Sequence, residues 1–201
     1  MSSGKDKEPK RRGLPPGQSA VKQILRWGRD HRTIGGVVPK INLATWVLVV
    51  DGEVKKPLEL SWESLLKLPK VEIKSDFHCV EGWSVLDLKW EGVRFKCLVD
   101  FVEPEESAKY VLFECADGYT TSLPFESLLE DDVLLAYGLN GDFLEEGLGA
   151  PVRLIVPSKY AYKSAMWITR IRFMSNKELG YWEKRGYSDT ADIWKNDRFS
   201  K

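Results

Sequence analysis

Short apolar or alternating runs, many of them closed by a turn signal, restrict the fold of this chain more than any other feature. Runs typical of buried or half-buried strands lie at 46–50, 71–77, 110–115, 133–137, 152–157 and 168–174. Asp51-Gly52, Asp117-Gly118 and Asn140-Gly141 favour tight turns after or between such runs. Helix-like segments are short and do not alternate regularly with the strands. The sequence therefore predicts an α+β fold that is rich in strands, with mixed or antiparallel sheets and short helices.

Capping residues and apolar spacing locate the predicted helices. Ser19 is a candidate N-cap for a short amphipathic helix whose apolar face runs from Val21 to Trp27 and which ends near Gly28. Ser61 caps a second helix, which Pro69 stops, and the apolar spacing over 95–102 predicts a third. Residues 90–93, with the sequence Trp-Glu-Gly-Val, are interpreted as a turn that leads into a strand.

The length of 201 residues fits one domain, and 43% hydrophobic residues are enough for a sizeable core. We predict a disordered or draped leader at 1–18 and a single domain at 19–201, whose C-terminal tail packs onto it. Lys plus Arg and Asp plus Glu number 30 each, so the net charge favours neither nucleic acid nor an anionic membrane as partner. Neither a membrane span nor a secretory signal is recognisable, which predicts a cytoplasmic protein.

The three cysteines, Cys79, Cys97 and Cys115, fit neither a structural zinc site nor a disulfide scaffold. Seventeen residues separate each from the next, so there is no Cys-x-x-Cys pair, and their number is odd. Cys79 follows the strand-like run 71–77, and loops at strand ends often carry functional side chains. An inert thiol is the alternative, because free cysteine packs mostly as a small hydrophobe.

Three separated stretches together resemble the sulfite-oxidase-like family. They are 77–85 (FHCVEGWSV), 139–164 with GAPVRLIVP at its centre, and 180–187 (GYWEKRGY). Their order and spacing agree with the family over roughly residues 40–195. The resemblance implies a sulfite-oxidase-type molybdopterin-binding fold and an oxidoreductase that carries molybdenum-molybdopterin. It also implies two-electron oxygen-atom transfer, a reaction whose redox chemistry a cofactor must supply.

The resemblance further implies roles for individual residues. Cys79 is implied as the protein ligand of molybdenum, for which a thiolate is a suitably soft donor. Arg153 is the expected anchor of the pterin phosphate, with Lys159 and Lys163 as helpers. Further cofactor contacts are expected at Ser164, Ala165, Met166, Cys115, His31 and, beside the ligand, His78.

Most of these residues also have a purely structural interpretation. A strand arginine can be a solvated charge, a cysteine can belong to the core, and a loop histidine can lie on the surface. A histidine beside the ligand can equally hold a structural hydrogen bond. These alternatives stay open for Arg153, Cys115, His31 and His78. Asp117 and Tyr119 either face the pocket or only form a hairpin, and Tyr181, Trp182 and Tyr187 are expected to clamp the C-terminal tail.

Departures from the family pattern bear on the substrate. Sulfite oxidases carry arginines soon after the ligand cysteine, whereas Glu81 stands here and would repel an anion if it faces the pocket. The Cys-Val-Glu-x-Trp pattern resembles the protein-methionine-sulfoxide reductase branch, although Leu148 replaces an asparagine of that branch and its export signal is missing. We therefore predict a small or protein-borne sulfoxide or similar oxo compound as substrate, and a separate electron partner. Oxidation of sulfite or another oxyanion, a non-catalytic cofactor-binding or carrier domain, and a plain binding module are the alternatives.

Overall fold

Strands account for most of the regular structure, as the runs of the sequence predict. The computed structural model describes residues 13–200. The strands are β1 (Ser19–Ala20), β2 (Val47–Gly52), β3 (Leu58–Ser61), β4 (Lys70–His78), β5 (Trp83–Arg94), β6 (Tyr110–Cys115), β7 (Thr120–Pro124), β8 (Leu134–Leu139), β9 (Asp142–Phe143), β10 (Arg153–Ile155) and β11 (Ile168–Met174). The α-helices are α1 (Trp62–Leu66) and α2 (Phe95–Val102), and short 3-10 helices lie at Phe125–Leu128, Glu146–Leu148, Ala161–Lys163 and Glu183–Arg185.

Two mixed sheets organise these elements. One has the order β3-β2-β11-β6-β7, in which only the β2–β11 pair is parallel within the described residues. In the other, β5 pairs with β1, β4 and β8, and β8 also pairs with β9 and β10. This arrangement confirms the predicted α+β class with mixed sheets.

The larger of two hydrophobic clusters lies between the sheets, and β8 separates it from the smaller one. Leu135 and Tyr137 face the larger cluster, which also holds residues of β2, β6, β11 and α2. Leu134 and Ala136 face a smaller cluster with Phe77 and Trp90. Since successive side chains of a strand point to opposite faces, both faces of β8 are buried.

The helix predicted after Ser19 is wrong. Ser19 and Ala20 form β1, which pairs in parallel with Trp83 and Ser84 of β5. The backbone N–H of Ser19 donates to the carbonyl of Gly82 at 2.8 Å. Apolar spacing alone suggested a helix, but the hydrogen bonds offered by the start of β5 decide the local structure.

The turn predicted at 90–93 is also wrong, because β5 continues through it. The pairing of β5 with β8 shifts register between Glu91 and Gly92, as at a β-bulge. A Cβ on Gly92 would lie 2.1 Å from the carbonyl oxygen of Leu135. The glycine therefore marks a close approach of two strands rather than a turn.

Other local predictions are confirmed. The Ser61 hydroxyl accepts a hydrogen bond from the Ser64 amide and caps α1, and the apolar spacing over 95–102 forms α2. Of the predicted leader, residues 1–12 lie outside the described residues, while the Gln18 side chain contacts the backbone of Cys79. The division at residue 18 stays a prediction. Within residues 13–200, no helix is long and apolar enough to cross a membrane.

Gly92→Ala should lower the free energy of unfolding by about 1–3 kcal/mol, because the added methyl group forces β5 and β8 apart. Urea denaturation followed by circular dichroism measures the change. Gly13→Ala is the matched control, since nothing lies within 4 Å of a Cβ at Gly13. Equal stabilities of the two variants would contradict the close-approach interpretation.

Candidate functional site

A cleft that is partly open to solvent lies beside the smaller apolar cluster. Its walls come from the ends of β4 and β10 and from the segments 24–34, 79–83, 161–167 and 182–187. Aromatic rings dominate the lining, and they belong to Trp27, Phe77, Trp83, Tyr119, Tyr162, Trp167, Trp182 and Tyr187. A cleft with this aromatic lining suits a partly planar ligand.

Cys79 reaches the cleft because β4 ends one residue before it. The Cys79 amide donates to the Trp83 carbonyl at 2.8 Å, and the Gly82 amide donates to the Cys79 carbonyl at 3.0 Å, which closes a tight turn. Gly82 has a φ of 99°, a conformation that glycine adopts most readily. The turn presents a half-buried thiol on the cleft wall.

The thiol of Cys79 is protonated at neutral pH in this environment. Its pKa is raised to about 12, chiefly by burial and in addition by the Glu81 carboxylate, while the backbone amides of Glu81 and Val80 partly oppose the shift. The thiol donates to the Glu81 Oε2 atom at 3.7 Å. A bound cation could replace this proton, because thiolates are strong ligands of soft metals.

Glu81 connects the thiol to other residues of the cleft. Its Oε2 atom accepts a hydrogen bond from the Trp83 indole at 3.0 Å and lies 3.5 Å from His31 Nε2. The structure therefore brings His31 to the cleft, next to the Cys79 loop. A carboxylate at this position places negative charge beside the thiol.

Arg153 is buried without an acidic partner. It is only 2% exposed, and among residues 13–200 no carboxylate forms an ion pair with it. Its guanidinium donates to the carbonyls of Leu148 at 2.9 Å and Ser164 at 3.3 Å, while its Nε has no partner. Burial lowers its pKa to about 9, which still leaves the group charged at pH 7.

Two aromatic rings offset part of the cost of burying this charge. The Arg153 guanidinium carbon lies 4.9 Å from the ring centre of Phe77 and 5.5 Å from that of Trp90. Arg153 and Ile155 share one face of β10, which is the face of the smaller cluster. The guanidinium thus has neutral partners on several sides and lines the cleft, where an anion would complete its environment.

The segment after β10 lies along the same wall. Ser164, Ala165 and Met166, which the resemblance expects to contact the cofactor, all line the cleft. The Ser164 hydroxyl accepts from the Val156 amide at 3.2 Å, so it also ties this segment to β10. A Cβ on Gly149 would lie 2.9 Å from Met166 Cβ, so the glycine permits this packing.

Lys163 does not belong to the cleft wall. It is fully buried and pairs with Glu183, and its ammonium also donates to the Ser122 carbonyl at 3.0 Å. Burial lowers the pKa of Lys163, while Glu183 opposes the shift. The expected helper role of Lys163 is therefore replaced by an ion pair that holds the 3-10 helix Glu183–Arg185 against β7. Lys159 also lies outside the lining, where its backbone forms an isolated antiparallel β-bridge with Asp192.

His78 and Cys115 also lie outside the lining of the cleft. The Nδ1 atom of the buried His78 lies 2.7 Å from the Ser84 hydroxyl, and burial lowers the pKa of this histidine. Cys115 belongs to the large core cluster, and burial raises its pKa well above the usual value. The surroundings of both residues match their structural alternatives, a hydrogen bond for His78 and core packing for Cys115.

Several cleft residues were missed or only partly identified from the sequence. Asp117 and Tyr119 both line the cleft, and they also form the hairpin turn, in which the Tyr119 amide donates to the Asp117 carboxylate at 3.0 Å. Trp182 and Tyr187, expected to clamp the tail, lie on the cleft wall with ring centres 5.0 Å apart. The aromatic density of 181–187 was the available signal. Trp27 gave none, because it was assigned to a helix that does not form.

A comparison with protein families decides the affiliation. A family model described as an oxidoreductase molybdopterin-binding domain matches residues 35–182. The chain belongs to this family. Members of the molybdopterin-binding oxidoreductases carry molybdenum-molybdopterin, so the predicted cofactor and the predicted enzyme class are confirmed.

Relatives within this family are similar over much of the chain. YuiH of Bacillus subtilis, an uncharacterized oxidoreductase, is 40% identical over 159 residues, which are 79% of this chain and 80% of YuiH. The protein-methionine-sulfoxide reductase catalytic subunit MsrP of Campylobacter jejuni is 32% identical over 183 residues, but the match spans 61% of that relative. The sulfane dehydrogenase SoxCD of Paracoccus pantotrophus has a TM-score of 0.66 at 22% identity, over 73% of this chain and 42% of SoxCD. This likeness confirms the sulfite-oxidase-type fold.

The residues of the cleft fit the cofactor of the molybdopterin-binding oxidoreductases. A phosphate on the pterin would neutralise the Arg153 guanidinium, which has no acidic partner, and would offer an acceptor to its orphaned Nε. The Cys79 thiol on the same cleft wall has the chemistry of a molybdenum ligand. The aromatic lining can cover the flat rings of a pterin.

Glu81→Gln should raise the rate of Cys79 alkylation by iodoacetamide about 3- to 10-fold at pH 8 in cofactor-free protein. Removing the carboxylate lowers the thiol pKa and increases the thiolate fraction. Mass spectrometry of the labelled peptides measures the rate, with Cys97 as the internal reference.

Glu72→Gln is the matched control, because it removes an exposed carboxylate of β4 that pairs with Lys89. An unchanged rate in Glu81→Gln would mean that Glu81 does not act on the thiol.

Proposed function

We propose that this oxidoreductase transfers an oxygen atom at a molybdenum-molybdopterin cofactor, with Cys79 as the protein ligand of the metal. One observation carries the proposal: a thiol and a buried guanidinium without an acidic partner line the same cleft. A metal and a phosphate would satisfy these two groups. The bound cofactor supplies the two-electron chemistry, which ordinary side chains cannot perform.

The charges of the cleft support a neutral oxo compound, such as a sulfoxide, as the substrate. Glu81 lies 3.7 Å from the thiol sulfur, and Asp117 is a second acidic residue of the lining. Reduction of a sulfoxide consumes two electrons and two protons and yields a thioether and water, so substrate and product are both uncharged. MsrP, the relative from Campylobacter jejuni, is named for this class of reaction.

Oxidation of sulfite or another oxyanion is less favoured by the same charges. An anion approaching Cys79 meets the Glu81 carboxylate, whereas the Arg153 guanidinium would be taken up by the cofactor phosphate. Steady-state assays with sulfite and with dimethyl and methionine sulfoxides separate the two reactions. A higher kcat/KM for sulfite would reverse the assignment.

The electron partner and the location in the cell are further parts of the proposal. A separate protein or small molecule would deliver the electrons, in line with the name of MsrP as a catalytic subunit. Cytoplasmic localisation stays a prediction of the sequence, and cell fractionation tests it.

Cys79→Ala should abolish oxygen-atom transfer in protein produced in a molybdopterin-competent host, with a loss of at least about 10³-fold in kcat/KM. The reason is that the metal loses its protein ligand. Metal analysis, pterin analysis and a sulfoxide-reduction assay on the same preparation measure the effect.

Cys97→Ala is the matched control, because Cys97 lies on α2 and outside the cleft lining. Full activity of Cys79→Ala at wild-type molybdenum content would refute the ligand assignment.

Inorganic phosphate should stabilise cofactor-free wild-type protein against thermal unfolding and have no such effect on Arg153→Met. At ten times its dissociation constant, a bound anion adds about 1.4 kcal/mol to the free energy of unfolding. Differential scanning fluorimetry over a phosphate series, at constant ionic strength, measures the shift.

Arg170→Met is the control for the lost charge, because Arg170 pairs with Asp51 on the other sheet. Equal phosphate shifts in all three proteins would show that Arg153 does not bind the anion.

A further inference from the structure

Arg198, far from Cys79 in the sequence, bridges the Cys79 loop and the segment before β1. Its Nη1 atom donates to the Val80 carbonyl at 2.5 Å, and its Nη2 atom donates to the Gly17 carbonyl at 2.9 Å. One planar guanidinium thus joins two chain segments that are more than 60 residues apart. The bridge is made next to the residue that we propose as the metal ligand.

Other carbonyls of the Cys79 loop are held from outside the loop as well. The Gln18 amide group donates to the Cys79 carbonyl at 3.0 Å, and the Ser19 backbone amide donates to the Gly82 carbonyl at 2.8 Å. With the Val80 carbonyl bound by Arg198, three carbonyls of this four-residue turn are fixed by distant residues. The path of the loop therefore depends on two segments outside it.

Gln18 is itself oriented by a buried polar chain. The Ser84 hydroxyl donates to Gln18 Oε1 at 2.8 Å, and His78 Nδ1 lies 2.7 Å from the same hydroxyl. Because the Ser84 hydrogen is used toward Gln18, the His78 Nδ1 carries the hydrogen and donates. This chain fixes which side of the Gln18 amide faces Cys79.

Arg198 is equally well oriented. Its Nε atom donates to Asn196 Oδ1 at 2.8 Å, and its guanidinium carbon lies 5.6 Å from the ring centre of Tyr160. The Tyr160 hydroxyl donates to the same Asn196 oxygen at 3.1 Å. The arginine is thus fixed at its stem and along its plane.

Glycines leave room for this arrangement. A Cβ on Gly17 would lie 2.8 Å from Arg198 Nη2, and one on Gly82 would lie 3.1 Å from the Gly17 carbonyl oxygen. Val80, the apolar side chain of the loop, packs against the small cluster of Tyr160, Ala191 and Ile193. The loop therefore rests on the tail segment 188–200 through its side chain as well as through its backbone.

We propose that Arg198 is a positioning residue for Cys79. It fixes the loop so that the sulfur lies on the cleft wall, where it would bind the metal. The inference rests on the proposed function of Cys79, but the geometry of the loop can be tested without the cofactor. Loss of the bridge should loosen the turn 79–82 while the two sheets stay intact, since the hydrogen bonds of the Arg198 side chain go to Gly17, Val80 and Asn196, which lie outside the named strands.

The test compares wild type, Arg198→Gln, Arg198→Lys and the control Lys195→Gln. Lys195 lies in the same segment, is exposed, and has only a surface contact with Asp192 among the ion pairs of the described residues. Hydrogen exchange of the Cys79 and Gly82 amides in cofactor-free protein reports the opening of the turn. We expect at least about tenfold faster exchange in Arg198→Gln, a smaller increase in Arg198→Lys, and wild-type exchange in the control.

Loaded protein gives the second measurement. We expect the Mo(V) electron paramagnetic resonance spectrum of Arg198→Gln to differ from wild type at equal molybdenum content, because the sulfur has changed its orientation. Unchanged amide exchange in folded Arg198→Gln overturns the proposal, and so does faster exchange with an unchanged spectrum. If Arg198→Gln fails to fold, Arg198→Lys and Gln18→Met are judged by the same criteria.

Failure of the proposed function gives a different pattern. If Cys79→Ala kept the wild-type Mo(V) spectrum, Cys79 would not be the ligand, whatever the amide exchange of the Arg198 variants. If Cys79→Ala lost the spectrum while Arg198→Gln changed neither the amide exchange nor the spectrum, the assignment of Cys79 as ligand would be supported. The positioning role of Arg198 would then be refuted.

Discussion

The structure of the cleft depends on how the protein holds the Arg153 guanidinium, a positive charge that is buried without a negative partner. Removing a guanidinium from water costs several kcal/mol, so the surrounding residues must offer it dipoles. The carbonyls of Leu148 and Ser164 and the rings of Phe77 and Trp90 do so. These contacts fix the segments on either side of β10 and leave the charge itself unneutralised.

The thiol of Cys79 lacks a positively charged partner, as Arg153 lacks a negatively charged one. Burial and the neighbouring carboxylate keep it protonated, so it would gain from a cation as Arg153 would gain from an anion. A ligand that joins a metal to a phosphate satisfies both groups at once, which is the composition of the cofactor of this family. In the proposed assignment, the unpaired guanidinium of Arg153 and the buried thiol of Cys79 give the cleft its affinity for the cofactor, because binding would supply the partner that each of them lacks.

How much could be predicted from the sequence varied with how local the interaction is. The Ser61 cap and the apolar face of α2 depend on neighbours a few residues away, and both predictions are confirmed. The helix after Ser19 failed because that segment pairs with β5, which lies more than 60 residues later. The family resemblance added residues that no pattern could supply, and six of the ten expected site residues line the cleft: Cys79, His31, Arg153, Ser164, Ala165 and Met166.

The sequence by itself determined the strand-rich class, the family and the strand-end position of Cys79, because these follow from local patterns and from motifs of fixed spacing. Tertiary structure alone decided which polar groups face the cleft. Lys163 and His78 have the right chemistry for a site, yet each is directed to an internal partner, Glu183 and Ser84. The structure also decided that Arg198 supports the Cys79 loop. Such choices depend on which distant groups meet when the chain folds, and buried polar groups must find those partners or pay for their absence.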